Sequence, residues 1–225
     1  MGIISYLDIN TNQTYQPFEL IFQTFYDIIK RIQTDNFAVF FLFSRHTREF
    51  FQRILIMIMK TSAKGLAWLK RLEGTVKQNT LHVIYDDQTG QPVPAHTPLP
   101  RGATIGYGHL IKRGEDFRHG ITEHTATDLL RADITIAEHA IQSCIHIPLT
   151  QHQFDALVAL AFNIGTNNFK KSTVIKYIND SNFHSTTYPN LESAWLAWNR
   201  TSGKKSTGLI RRRQSEFNTY INGTY

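Results

Sequence analysis

The hydrophobic positions change their period partway along the chain. Leu66, Leu69 and Leu72 recur three apart among Lys64, Lys70 and Arg71, so residues 61–73 are expected to form an amphipathic helix stopping near Gly74. Residues 81–85 are rich in β-forming side chains and run into Asp86-Asp87-Gln88-Thr89-Gly90, a turn signal. Pro92, Pro94, Pro98 and Pro100 then exclude helix and favour an extended loop. Residues 103–111 alternate as a strand would, with Gly106 and Gly108 inside the run. From Thr122 onward the period becomes helical, over residues 125–141, 150–162, 172–179, 191–198 and 209–220. Thr122 and Thr150 suit N-caps, and Gln153 stands at the capping-box position of the second. The expected class is α+β: one helix, a small β lobe, then a larger helical lobe.

Residues 1–58 follow a different pattern. Their apolar runs, 36–44 and 54–59, are interrupted by Arg45, Arg48, Glu49 and Arg53, whereas spanning a bilayer takes about 18 to 20 nearly uncharged residues. No basic cluster followed by an apolar stretch and a small-residue cleavage site marks a secretory signal. Residues 37–43 and 50–59 read instead as amphipathic helices that dock on the rest of the chain or on a membrane surface. Met59-Lys60-Thr61-Ser62 also reads as a natural start, which leaves open an over-extended gene start. The expected organisation is an extension of unknown role over 1–58 and a catalytic domain over 59–225.

Charge sharpens this division. The net charge is +6, and residues 1–58 hold equal numbers of acidic and basic side chains, so the whole excess lies from Met59 onward. A basic domain is drawn to polyanions: nucleic acid, anionic lipid or the phosphate-rich bacterial envelope. Nucleic acid is the weakest of these, because no nucleic-acid motif is present and the basic residues do not interleave with an aromatic platform. The single cysteine, Cys144, excludes an intramolecular disulfide and reads as a small core residue. Ten histidines show no metal-ligand spacing, so neither metal nor cofactor is expected.

Cleaving a sugar–sugar bond without a metal takes a proton donor on the leaving oxygen and a second carboxyl facing the same cleft. A carboxyl at a helix end in a partly apolar cleft tends to stay protonated, and one on an exposed turn tends to stay ionised. Glu73 and the Asp86-Asp87 pair hold those two kinds of position. Helix-end glutamates and turn aspartates also serve as caps or solvated surface, so position alone leaves the assignment open.

Three sets of segments narrow it. The first comprises Leu72-Glu73-Gly74, Tyr85-Asp86-Asp87 and Gly102-Ala103-Thr104-Ile105-Gly106-Tyr107-Gly108-His109. The second runs from Leu149 through Phe154 to Ala161-Phe162-Asn163-Ile164-Gly165. The third is Gly208-Leu209-Ile210-Arg211-Arg212-Arg213-Gln214-Ser215-Glu216. In this order they resemble the phage endolysins of glycoside hydrolase family 24, over about residues 64–220. The resemblance implies a lysozyme-like fold and a muramidase that cuts β-1,4 bonds between N-acetylmuramic acid and N-acetylglucosamine with inversion, for cell-wall lysis.

It further implies Glu73 as general acid, Asp87 as the aspartate that positions water, with Asp86 as the alternative, and Thr104 beside it. Leu110, Phe162, Asn163 and Ser172 map to substrate-binding positions. His109 is expected to pair with Asp133, and one arginine of Arg211 to Arg213 with Glu73. Two departures stand out: the Glu73-to-Tyr85 spacing is longer than in compact members, and the proline-rich insertion separates Asp87 from Thr104. Loop closure grows slowly with length, so the fold tolerates both. The expected partner is the peptidoglycan glycan strand, with the protein a monomer and nucleic acid and spanning segments absent. Held in the cytoplasm before release, it would reach the wall through a holin, a secretion machine or lysis. A phage lysis enzyme, a prophage remnant and a delivered toxin all fit, as does a catalytically silent peptidoglycan-binding protein.

Overall fold

The computed structural model describes residues 45–225, apart from residue 95. The expected amphipathic segment 37–43 lies outside the described residues. Helix α1, Arg45–Ile58, takes in the second expected segment and buries Ile56 in the core of the compact unit formed by residues 52–225. Among the described residues no helix is long and apolar enough to cross a membrane.

Helix α2, Ala63–Glu73, starts where the Ser62 hydroxyl accepts from the Gly65 N–H and stops at Gly74, whose φ of +65° ends the helix. It buries Leu66, Trp68 and Leu69. Two buried carboxylates from the helical lobe pin its entry. Glu138 accepts from Lys60 Nζ and from the Thr61 N–H and hydroxyl at 2.8–2.9 Å. Asp155 accepts from the Ser62 N–H at 3.0 Å, the Ser62 hydroxyl at 2.5 Å and the Tyr225 hydroxyl at 2.6 Å. Gly65 is part of this arrangement: a Cβ there would stand 2.4 Å from Asp155 Cγ. Alanine at this helical position would gain about 1 kcal/mol in intrinsic propensity. Displacing a hydrogen-bonded buried carboxylate outweighs that gain. Gly65→Ala is therefore expected to destabilise the protein by about 2 kcal/mol, read from the denaturant midpoint.

The β lobe consists of short pieces. Strands β1, Lys77–Gln78, and β2, Leu81–His82, form one hairpin; β3, Tyr85–Asp86, β4, Ala103–Ile105, and β5, His109–Leu110, form an antiparallel sheet in that order. Tyr85 pairs with Thr104, and Ile105 with His109. The run 103–111 is thus two strands rather than the single one expected. Gly106 at φ +63° and Gly108 at φ +87° turn the chain back on itself, a conformation that disfavours a side chain. The proline-rich insertion contributes one isolated bridge, Pro92 to Tyr85.

Helix α3, Glu123–Cys144, capped by Thr122, leads to α4, Gln151–Ile164, which carries the expected Thr150–Gln153 capping box. Residues Phe154 to Ala161 of α4 are 0–1% exposed and, Asp155 aside, apolar, so this stretch is buried all round and forms the centre of the lobe. Around it stand α5, Thr166–Lys171, α6, Thr173–Asn179, α7, Leu191–Leu196, and α8, Thr207–Asn222. The hairpin of β6, Arg200–Thr201, and β7, Lys204–Lys205, precedes α8. Cys144 is partly buried and packs against the core. Trp195 is fully buried, with Trp198 packed beside the core.

Glu123 joins the lobes. Its carboxylate accepts from Lys70, Lys77, the buried His82 ring and Tyr107 at 2.6–3.0 Å. Burial pushes its carboxyl up, but the bonds from Tyr107, Lys77, His82 and Lys70 outweigh that and hold it well below the usual carboxylate range. The resulting stabilisation is fully present above that ordinary range and is lost as pH falls through the lowered value. Glu123→Gln should therefore flatten the fall in Tm between about pH 5 and pH 3 relative to the unsubstituted protein.

Candidate active site

Glu73 ends α2 with its side chain 15% exposed. Its Oε1 accepts from Arg212 Nη2 at 2.6 Å, across 139 residues of sequence. The contact exists because α2 and α8 both pack on α4; Arg212 Nη2 also reaches the Ala159 carbonyl of that helix at 3.5 Å. Of the three arginines in the run, Arg212 is the expected partner of Glu73, Arg213 is fully buried and Arg211 is exposed. Arg212 also donates from Nε to Glu216 Oε1 at 2.9 Å. Burial works against its charge, but Glu73 and Glu216 outweigh it and push the guanidinium's pKa up.

Other expected site residues lie where β3 meets β4 and on the turn that follows β3. Thr104 is buried, its hydroxyl 3.4 Å from the Tyr85 carbonyl. Asp86 has a structural occupation: its Oδ1 accepts from the Gln88 N–H at 2.9 Å, and its carbonyl accepts from Gly90 at 2.7 Å, closing the turn. Asp87 follows on that turn and is exposed. Tyr85 pairs with Thr104 across these strands. Burial pushes its phenol up and a hydrogen bond with Thr104 holds it down, while the charges of Asp87 and Glu73 both push it further up. The hydroxyl thus stays protonated at neutral pH.

Among the other expected residues, Leu110 on β5 is 56% exposed, and Phe162 on the last turn of α4 is half-buried. Asn163 Oδ1 accepts from Arg213 Nη2 at 2.7 Å, tying it to the cluster around Glu73. Ser172, between α5 and α6, is buried with no partner for its hydroxyl among the described residues. No described hydrogen bond joins Leu110 or Ser172 to either carboxylate. His109 is buried, with Nδ1 2.7 Å from Asp133 and Nε2 3.0 Å from Glu115. The expected pairing with Asp133 is present, and Glu115 adds a second carboxylate. Among the described residues no three His, Cys, Asp or Glu side chains are grouped to hold a metal ion.

Glu216 is the residue the sequence reading passed over. It is fully buried, bound by Arg212 and Arg213 at 2.9 Å and by Trp195 Nε1 at 3.3 Å. Burial pushes its carboxyl up against the pull of Arg213 and Arg212. The sequence carried two signals: its place at the end of the third family segment and its helical spacing, four residues after Arg212 and three after Arg213.

Residues 86–216 match the phage lysozyme family. The endolysin of Salmonella phage P22 is 35% identical over 162 residues, covering 71% of this chain and 96% of its own. The endolysin of Bacillus phage B103 is also 35% identical, over 128 residues, but the match spans 56% of this chain and only 46% of that longer protein. The solved endolysin of Escherichia coli O157:H7 phage FAHEc1 superposes with a TM-score of 0.59 at 32% identity, over 75% of this chain and 97% of its own. With its family segments in order and a lysozyme-like fold around them, the chain belongs to the phage lysozyme family of glycoside hydrolases.

Proposed function

We propose that the protein lyses bacterial cell walls as a muramidase, hydrolysing the β-1,4 bond between N-acetylmuramic acid and N-acetylglucosamine. Glu73 protonates the leaving oxygen while Asp87, with Thr104, positions the water that attacks from the opposite face of the sugar, giving inversion. The observation that carries this reading is Glu73 at the end of α2, its carboxylate held by Arg212 Nη2 at 2.6 Å, in a chain of the phage lysozyme family. Asp87 is preferred to Asp86 because the Asp86 carboxylate is engaged by the Gln88 N–H. Arg212 is the counterion that receives Glu73 once its proton has gone.

The basic excess favours the anionic envelope as the setting, which a single chain reaches from the cytoplasm through a holin, a secretion machine or lysis. Residues 59–225 carry the activity, and Leu110, Phe162 and Asn163 contact the glycan strand. The second reading is a wall-binding protein without turnover. Incubating the full chain with purified peptidoglycan separates the two: the enzyme releases new reducing ends, whereas sedimentation with the wall and no release would identify a binding module.

A further inference from the structure

Glu216 has no role in the scheme above, yet it is the carboxylate that the two arginines are built around. Its Oε1 accepts from Arg212 Nε and from Arg213 Nη2, each at 2.9 Å, and its Oε2 from Trp195 Nε1 at 3.3 Å. Arg213 is itself fixed by Asn163 at 2.7 Å and by the Trp198 carbonyl at 3.4 Å. Burying a carboxylate is unfavourable unless it is paired and hydrogen-bonded, and this one is engaged at both oxygens. The far end of Arg212 holds Glu73 at 2.6 Å.

We propose that Glu216 is a positioning residue for the general acid: it fixes Arg212 at the distance Glu73 needs and shares the arginine's charge. Glu73 then faces a guanidinium already partly neutralised rather than a free cation. With Glu73 ionised, Glu73, Arg212, Arg213 and Glu216 are neutral together; with Glu73 protonated they carry one positive charge. Without Glu216 each state gains a further positive charge. The ionised form of Glu73 is then favoured, and the acid gives up its proton at lower pH. Tyr85 of the β lobe, whose phenol feels the charge of Glu73, is untouched by this change.

This inference rests on Glu73 being the general acid, and its test is the pH dependence of kcat/KM on cell-wall peptidoglycan. In Glu216→Gln the alkaline limb should move to lower pH by about one unit. Arg213→Gln removes a cation instead of an anion and should move the limb the opposite way. The charge-balanced double variant should return it close to the unsubstituted position. Thermal melts establish which variants are folded; if Glu216→Gln is not, Arg213→Gln and the double variant decide. Folded variants whose limbs coincide with the unsubstituted protein, or move in one direction together, would overturn the proposal and leave Glu216 with a structural role only. An unsubstituted protein with no turnover would instead overturn the reading of Glu73.

Discussion

Glu73→Gln is expected to lower the release of reducing ends from peptidoglycan about a thousandfold, the scale of a positioned general acid. The amide has nearly the same shape as the acid and cannot donate the proton that the leaving oxygen requires. The substitution should leave the fold standing, because Arg212 keeps Glu216 as its partner at 2.9 Å when the Glu73 carboxylate is gone. Binding to the wall should therefore persist while turnover disappears. Activity within tenfold of the unsubstituted protein, from a variant with an unchanged melting temperature, would remove Glu73 from the mechanism.

The second large effect falls on the neighbouring aspartates and has opposite expectations for each. Asp87→Asn should lower turnover about a hundredfold or more, because an amide orients and activates the attacking water less well than a carboxylate. Asp86→Asn should act mainly on stability, by about 1 kcal/mol or less, since an amide oxygen still accepts from the Gln88 N–H. Initial rates on cell walls, set beside thermal melts of the same preparations, separate the two. A reversed pattern, with Asp86→Asn inactive and Asp87→Asn active, would hand the role to Asp86. Such a reversal would place the effect of the proline-rich insertion at the site itself.

Elements defined by local chemistry were legible in the sequence. The Thr150–Gln153 capping box, the stop at Gly74 and the long apolar face of α4 are written in residues three or four apart, and each forms as expected. The hairpin at Gly106 to Gly108 was missed for a physical reason. Alternating apolar residues report a strand whether or not it reverses, and only the positive φ of both glycines shows the reversal. Helix α5, with one buried residue, Phe169, has too little periodicity to register.

The site divides in the same way. Glu73, Asp87 and Thr104 stood out through their motif, and the pairing of Glu73 with an arginine was expected without saying which. That choice depends on the packing of α8 against α4, a relation between residues far apart in sequence. The burial of the carboxylates Glu138, Asp155 and Glu216 was hidden for a related reason. An acidic residue in a helical pattern reads as solvent-facing until its partners arrive from other elements.

The central claim is that a specific sugar bond is hydrolysed, and the chemical identity of the new ends tests it most directly. Peptidoglycan digested by the full chain, reduced and analysed by mass spectrometry should show N-acetylmuramic acid at the new reducing ends, each product having gained one water. New ends carrying N-acetylglucosamine, products lacking the added water, or no new ends at all would contradict it.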